Sequence, residues 1–173
     1  MNLILLPGNA DKTWIKEIQR NISPLFKSSF LVEYAHHHKG ETIINFEYEL
    51  DSLNKLILDN KLSDYIIFAK SAGTLLTVKG ANEEILKPQK CIFLGLPINW
   101  AYKHKFDIDT WIQNYSIPTL FIQQTNDPYY SYKELQTYLH KHSVENFLMH
   151  EIEGNTHYYS NLEEIKEQVK NYI

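Results

Sequence analysis

The sequence predicts an α/β fold: a three-layer sandwich in which helices cover both faces of a sheet of about six, mainly parallel strands. The first observation behind this prediction is that short apolar runs alternate with amphipathic segments along the whole chain. The second is that the spacing of the runs leaves room for a helix between consecutive strands, which is typical of parallel sheets. Because no internal repeat or Pro/Gly/Ser-rich linker interrupts the 173 residues, we expect a single domain over 1–173.

Six apolar runs are predicted as strands, since each is short and contains enough β-branched or aromatic residues. The amphipathic segments between them are predicted as helices, because their apolar residues recur at helical spacing. Ser131 with Glu134, and Ser160 with Glu163, have the spacing of capping boxes and predict the starts of the last two helices. The predicted strands are 3–6, 30–35, 65–69, 91–96, 119–124 and 147–152, and the helical patterns lie within 14–22, 43–57, 135–139 and 162–169.

Composition argues against several classes of partner. Hydrophobic residues make up 43% and charged residues 22%, as in ordinary globular proteins, and the net charge of −4 comes from interspersed acids and bases. No basic patch predicts nucleic-acid binding, and no apolar run is long enough for a membrane span. The run before Pro7 is too short for a signal peptide, and the one cysteine, Cys91, lies in an apolar run. We therefore expect a cytoplasmic protein with a buried thiol, whose oligomeric state the sequence leaves open.

In a parallel sheet, functional sites gather beyond the carboxyl ends of the strands. Ser71 follows the third strand and lies between Ala69 and Gly73, whose small size allows the tight strand-to-helix turn that holds a serine out of the sheet. Asp127 follows the fifth strand and His157 follows the sixth. Each also has an ordinary structural explanation: helix capping for the serine, an Asn-Asp-Pro turn for the aspartate and a solvated loop for the histidine.

Serine, acid and histidine in this chain order, each after a separate strand, favour catalysis over three unrelated structural roles. The segments that carry them resemble the α/β-hydrolase superfamily over essentially the whole chain. They are "LILLPGNA" for the first strand and oxyanion loop, "FAKSAG" for the nucleophile elbow, "TNDP" for the acid turn and "GNTHYY" for the histidine loop. Two positions depart from the pattern: Ala69 replaces the first glycine of the elbow, and Pro7 stands where many relatives have histidine.

The resemblance implies a minimal α/β-hydrolase fold, small and nearly lidless, and a serine-hydrolase mechanism. Ser71 is then the nucleophile, His157 the general base and Asp127 the group that orients the imidazole. The resemblance also implies that the oxyanion hole is formed by backbone N–H groups, one from Ala72 and one from Asn9, with residue 10 as the next candidate after Asn9.

The implied reaction is hydrolysis of a small ester, thioester or amide through an acyl-enzyme, with carboxylesterase as the leading subclass. It needs no metal or organic cofactor, and the implied partner is a small-molecule acyl substrate. Acyl transfer to an acceptor other than water would use the same residues. The alternative from another class is a binding or regulatory protein that keeps the hydrolase scaffold with little or no turnover, since fold alone does not decide function.

Other side chains near the strand ends have alternative explanations. Lys70 could act as the base of a Ser-Lys pair, although a surface or helix-contacting lysine is the default expectation. Asp107 and Asp109 are rival acids, but neither follows a strand directly. The three histidines at 36–38 follow the second strand; if this segment is extended, at most two of them could share a metal ion. A solvated or substrate-facing loop is the favoured interpretation of that run.

Residues 97–117 are predicted to form a short, cap-like insertion between the fourth and fifth strands. One helical face, which most simply packs on the sheet, is made by Ile108, Trp111, Ile112 and Tyr115. Trp100 and Tyr102, which follow the fourth strand closely, are predicted to wall the substrate pocket together with Gly8. Weaker candidates for the same role are Tyr129, Tyr130, Tyr158 and Tyr159. Because the insertion is too short for a large lid, we expect a shallow and open site.

Overall fold

The computed structural model describes residues 1–10, 13–39 and 42–173. Across these residues the chain forms six β-strands and eight α-helices. The strands are β1 (Asn2–Leu6), β2 (Ser29–Leu31), β3 (Tyr65–Lys70), β4 (Lys90–Leu94), β5 (Thr119–Gln124) and β6 (Phe147–Ile152). The helices are α1 (Trp14–Ile22), α2 (His36–Lys39), α3 (Phe46–Asp59), α4 (Ala72–Asn82), α5 (Ile98–Lys103), α6 (Ile108–Ile112), α7 (Tyr132–Lys141) and α8 (Leu162–Tyr172).

The strands form one sheet in the order β2-β1-β3-β4-β5-β6, and every neighbouring pair is parallel. The register places Leu5 opposite Phe68, Phe68 opposite Ile92, and Ile92 opposite Leu120. β3 is buried along its whole length, whereas the edge strands β2 and β6 are partly exposed. The predicted fold class is therefore confirmed, with strands that are all parallel where the sequence predicted mainly parallel ones.

Alternate residues of the strands enter two separate cores, one on each face of the sheet. In β1, Leu3 and Leu5 pack in the core covered by α1 and α8. Ile4 and Leu6 point to the opposite face and join the larger core covered by helices α3 to α7. The layers are thus helix, sheet and helix, and the carboxyl ends of all six strands meet at one edge.

One of the two predicted capping boxes is present. The Ser131 Oγ accepts from the Glu134 N–H at 3.3 Å, and the Glu134 side chain accepts from the Ser131 N–H at 2.9 Å. The predicted box at Ser160 is wrong, because α8 is capped by Asn161, whose Oδ1 accepts from the Glu164 N–H at 3.2 Å. Serine and asparagine are both good caps, and each stands three residues before a glutamate, so the spacing alone fits both frames.

The segment that follows β2 differs from the prediction. β2 ends at Leu31 and not at residue 35. Val32 still donates its N–H to the Leu5 carbonyl at 3.0 Å, but the chain then leaves the sheet, and the Tyr34 side chain turns into the core. The histidine run forms the short helix α2, so the expectation of an extended segment is wrong.

Residues 97–117 form two short helices, α5 and α6, where the sequence suggested one helical face. Ile108 and Ile112 are buried in the larger core, and Tyr115 joins them from beyond the end of α6. Since α6 packs against α4, this part of the segment covers the helical layer and not the strand ends.

Two expectations drawn from composition can be compared with the structure. Cys91 is buried in β4, which confirms the predicted buried thiol, and this burial raises its pKa to about 12, so the thiol stays neutral. In the ranges that the structure describes, no helix combines the length and the apolar character needed to cross a bilayer.

Candidate active site

Ser71 occupies a strained turn between β3 and α4. Its backbone has φ 51° and ψ −120°, a conformation that residues other than glycine rarely adopt. Within the described residues its side chain makes no capping bond to the helix, so capping does not explain its presence. A Cβ at Gly73 would lie 2.8 Å from the carbonyl oxygens of Leu6 and Pro7, so only glycine lets the helix approach β1 this closely.

A continuous chain of hydrogen bonds joins the three predicted side chains. The Nε2 of His157 lies 2.9 Å from the Ser71 Oγ, and its Nδ1 lies 2.7 Å from the Asp127 Oδ2. A carboxylate only accepts hydrogen bonds, so the ring proton lies on Nδ1 and Nε2 is free to accept from the serine hydroxyl. The imidazole is 11% exposed and the carboxylate fully buried, which keeps the chain largely out of water.

The Asp127 carboxylate is held on both of its oxygens. The Tyr129 N–H donates to Oδ1, and the Tyr159 hydroxyl donates to Oδ2, each at 2.9 Å. Burial, followed by the proximity of the Asp127 charge, raises the pKa of Tyr159 far above its usual value, so this hydroxyl stays protonated and continues to donate. These bonds hold the carboxylate in one orientation and fix the oxygen that the imidazole contacts.

The two rival acids are used elsewhere. Asp107 caps α6 by accepting from the Thr110 N–H at 3.4 Å. The Asp109 Oδ1 accepts from the hydroxyls of Tyr102 and Tyr138, both at 2.7 Å, and these bonds lower the pKa of the carboxyl against the opposing effect of desolvation. The structure therefore pairs the histidine with the acid that follows β5.

Sequence reasoning missed the residue that holds the histidine loop. The Gln124 Oε1 accepts from the N–H groups of Thr156 and His157, at 3.0 and 3.2 Å, and its Nε2 donates to the Tyr158 carbonyl at 2.8 Å. His157 itself has a φ of 59°, which this clamp maintains. A Cβ at Gly154 would lie 2.5 Å from the glutamine side chain. A buried glutamine at the end of an apolar strand was the signal that could have revealed it.

Gly95 was also missed, although it directly follows β4. Its φ of 66° lies in the region that favours glycine. A Cβ there would lie 2.9 Å from the Cε1 of His157 and 3.0 Å from the Tyr159 hydroxyl oxygen. A side chain at residue 95 would therefore displace the imidazole from its observed position.

An open cleft of about 410 Å³ lies above Ser71 and His157. Gly8 and Trp100, two of the three predicted wall residues, line it. The ring of Tyr129 stands edge-on to the imidazole at 4.7 Å between centroids. Other parts of the lining are Asn9, Ala10, Trp14, Lys70 and Tyr158. The cleft has aromatic walls and a polar floor, which suits a small substrate with a polar reacting centre.

The prediction that Tyr102 walls this pocket is wrong. Its side chain lies in a neighbouring cleft with Tyr130 and Tyr138, where its hydroxyl donates to Asp109. The physical reason is that Trp100 and Tyr102 both lie in α5, and residues two apart in a helix do not share a face.

Lys70 is buried and contacts helix α1, so of the two default expectations the helix-contacting lysine is the one observed. Lys70 is only 7% exposed. Its Nζ lies 5.4 Å from the centroid of the Trp14 ring, whose aromatic face attracts the cation. The hydroxyl of Ser71 contacts the imidazole of His157, so the geometry favours the histidine as its base.

Of the two predicted oxyanion donors, Asn9 lines the cleft and Ala72 directly follows Ser71. Ala72 is the first residue of α4, so its N–H has no acceptor within the helix. The Asn9 side chain is engaged away from the serine, because its Oδ1 accepts from the Ile44 N–H at 2.8 Å and its Nδ2 donates to the Thr42 carbonyl at 2.9 Å. If Asn9 donates toward the cleft, it must therefore do so through its backbone N–H.

The histidine run does not assemble a metal centre. Over the residues with described positions, no group of three or more histidine, cysteine, aspartate or glutamate side chains is arranged to hold an ion. The Nε2 atoms of His36 and His37 instead lie 2.7 and 3.0 Å from the Asn9 carbonyl oxygen.

Comparisons with known proteins were made for sequence and for structure. No family model matches the sequence, and no curated protein matches it. Est1E from Butyrivibrio proteoclasticus, in a structure with bound ferulic acid, superposes with a TM-score of 0.77 at 15% identity, over 99% of this chain and 87% of that one.

Two further solved structures are similar over almost the whole chain. The RedJ thioesterase of the prodiginine biosynthetic pathway in Streptomyces coelicolor superposes with a TM-score of 0.71 at 12% identity, over 100% of this chain and 90% of that one. Alpha/beta hydrolase domain-containing protein 10 from mouse gives a TM-score of 0.71 at 10% identity, over 98% and 88% of the two chains. The chain therefore has the α/β-hydrolase fold, as the sequence predicted.

Proposed function

We propose that the protein is a serine hydrolase that cleaves a small ester, thioester or amide through an acyl-enzyme. The single observation that carries this proposal is the unbroken hydrogen-bonded chain from the Ser71 hydroxyl through His157 to the buried Asp127. A neutral serine is a weak nucleophile until a base removes its proton, and the imidazole is placed within reach to do so.

In the proposed reaction, the Ser71 oxygen attacks the carbonyl carbon of the substrate while His157 Nε2 takes the hydroxyl proton. The resulting imidazolium is stabilised by Asp127, and it returns the proton to the leaving group when the carbon–heteroatom bond breaks. Water, activated by the same imidazole, then hydrolyses the acyl-enzyme. The negative oxygen of each tetrahedral intermediate is stabilised by the N–H groups of Ala72 and Asn9.

The leading subclass is a carboxylesterase. The cleft is open and of modest volume, about 410 Å³, which suits a small acyl group better than a long chain. Its aromatic walls, formed by Trp14, Trp100 and Tyr129, suit a flat or apolar acyl or alcohol group. Among the structural neighbours, one is a thioesterase and another was solved with ferulic acid, so thioesters and aromatic esters belong in the first substrate panel.

A fluorophosphonate probe tests the proposal directly. The wild-type protein is expected to be labelled on Ser71, whereas Ser71→Ala is not labelled and His157→Ala is labelled far more slowly. Ser160→Ala, which removes an exposed hydroxyl of the neighbouring loop, serves as the matched control and should be labelled like the wild type. An unlabelled wild type, or equal labelling of Ser71→Ala, would leave a binding or regulatory protein on a hydrolase scaffold as the better account.

A further inference from the structure

We propose that His36 and His37 are positioning residues for the oxyanion side of the cleft. Their rings hold the Asn9 carbonyl and thereby fix the loop that presents the backbone N–H groups of Asn9 and Ala10. This inference rests on the proposed function and adds to it two residues that touch neither the nucleophile nor its base. The supporting observation is that the Nε2 atoms of the two rings lie 2.7 and 3.0 Å from a single carbonyl oxygen.

The acceptor determines the protonation of both rings. A backbone carbonyl cannot donate, so each histidine must carry a proton on Nε2. The carbonyl oxygen has two lone pairs, and the two N–H groups together satisfy both. His36 is 4% exposed, and within the described part of the chain its Nδ1 has no hydrogen-bond partner. A buried ring nitrogen left unsatisfied is costly, and the bond from Nε2 to the Asn9 carbonyl offsets part of that cost.

Ring packing keeps the two donors aimed at the same oxygen. The His36 and His37 ring centroids lie 4.4 Å apart in an edge-to-face arrangement. The Tyr34 ring stacks against His36 at 5.7 Å. Neighbouring side chains usually diverge around a helix, so their convergence here depends on the short helix α2 and on this packing.

The loop is pinned on both sides of the peptide that carries the Asn9 N–H. On one side, the Tyr34 hydroxyl donates to the Pro7 carbonyl at 3.1 Å. On the other side, the histidines hold the Asn9 carbonyl. All peptide bonds of the described chain are trans, so the N–H of Ala10 points opposite to that carbonyl and is fixed with it.

The two histidine donors prevent rotation of the peptide plane between Asn9 and Ala10. If the Asn9–Ala10 peptide turned over, a carbonyl dipole could face the cleft where the oxyanion forms, and repulsion would replace stabilisation. Preorganised donors are effective because they do not need to reorient during the reaction. Two ring donors on one carbonyl hold this peptide in a single orientation before substrate arrives.

The kinetic experiment uses the full chain and an activated aryl ester. His36→Phe and His37→Phe each keep an aromatic ring but remove the donor, and we expect a fall in kcat of about tenfold each. In the double variant we expect about a hundredfold, which is the lower end of the loss caused by removing an oxyanion donor. KM should change less than about threefold, because the tetrahedral state loses more than the bound ester. His36→Gln, whose amide reaches the same place as Nε2, should recover most of the loss.

His38→Phe is the matched control on the same helix. The His38 side chain is 66% exposed and lies 3.5 Å from Glu33, so its replacement should leave kcat unchanged. An equal loss in this variant would show that α2 is merely sensitive to substitution and would overturn the proposal. So would a double variant that folds and keeps the kcat of the wild type.

Nuclear magnetic resonance supplies a readout that needs no substrate. In the wild type, ¹H–¹⁵N spectra of the imidazoles should show the Nε2–H form for His36 and His37 at pH 8. In each single Phe variant, ¹⁵N relaxation of the Asn9 and Ala10 amides should show increased fast motion, and His38→Phe should not. Nδ1–H forms, or unchanged amide motion, would overturn the proposal that the two histidines hold the Asn9 carbonyl. An ester-inactive wild type would remove the proposed function, while these spectra would still decide whether the histidines hold the loop.

Discussion

The two sides of the cleft are held by different means. On the serine side, Ser71 lies between a buried strand and a buried helix, and Gly73 contacts the backbone that follows β1. On the oxyanion side, the loop after β1 is held by the side chains of Tyr34, His36 and His37 and by the backbone of the segment 42–44. The serine turn is thus held by backbone packed between buried regular elements, whereas the loop is held by hydrogen bonds that involve side chains.

This difference indicates where substitutions should act. Changes on the serine side should remove the chemistry while leaving the rest of the chain in place, because the sheet holds the turn. Changes on the oxyanion side should reduce the rate by degrees, because each holding side chain contributes only part of the order of the loop. The histidine loop lies between these cases, since its histidine reacts but its backbone is held by one glutamine.

The largest effect is expected for substitution of Asp127, the acid that orients the imidazole. Asp127→Asn should lower kcat about 10⁴-fold at neutral pH, because the amide can donate to Nδ1 and then selects the tautomer whose Nε2 cannot accept from Ser71. The rate is measured on an aryl ester over a range of pH. Asp109→Asn is the matched control, and a comparable loss in that variant would mean that the wrong carboxylate has been identified.

An intermediate effect is expected at the histidine loop. Gln124→Leu leaves two N–H groups and one carbonyl of residues 156–158 without their partner, and we expect about a 10- to 100-fold fall in kcat together with about 1–3 kcal/mol of lost stability. Urea unfolding and ester kinetics are measured on the same samples.

Gln123→Leu provides the comparison for that variant. Gln123 is equally buried, but its Oε1 accepts from the Leu96 N–H and its Nε2 donates to the Tyr130 carbonyl, away from the histidine. It should cost similar stability with a much smaller loss of kcat. Equal kinetic losses in the two variants would show that general destabilisation, and not the position of the imidazole, lowers the rate.

The smallest effect is expected for Asn9→Ala. The side chain bonds to the backbone of residues 42 and 44 and not toward the serine, so its loss should cost about 0.5–1.5 kcal/mol of stability and less than about tenfold in kcat. The measurement is again unfolding and kinetics together. A thousandfold fall in kcat would mean that the side chain itself is the donor, and the comparison between the two sides of the cleft would then have to be redrawn.

Much of the fold and of the site could be predicted because both depend on short-range patterns. The apolar runs predicted about six, mainly parallel strands, and the ends of parallel strands meet at one edge, which brought Ser71, Asp127 and His157 together. The choice of Asn161 over Ser160 as a cap could not be made, because both fit the same spacing.

The remaining features depend on where side chains reach in three dimensions. Nothing in the spacing of the chain reveals that Gln124 bonds to the histidine loop, or that His36 bonds to a carbonyl 27 residues earlier. Tyr102 was misplaced because it lies two residues after Trp100 in the six-residue helix α5, and residues two apart in a helix do not share a face. The holding contacts of the site are therefore the part that sequence reasoning misses.

The central claim is that Ser71 becomes covalently acylated with the help of His157. Its most direct test is to mix the protein with an activated aryl ester, quench with acid before the acyl group is lost, and map the modified residue by peptide mass spectrometry. We predict an acyl group on Ser71 in the wild type and none on that peptide in Ser71→Ala. Ester turnover with the acyl group on another residue, or with no acyl-enzyme under any quench time, would contradict the account.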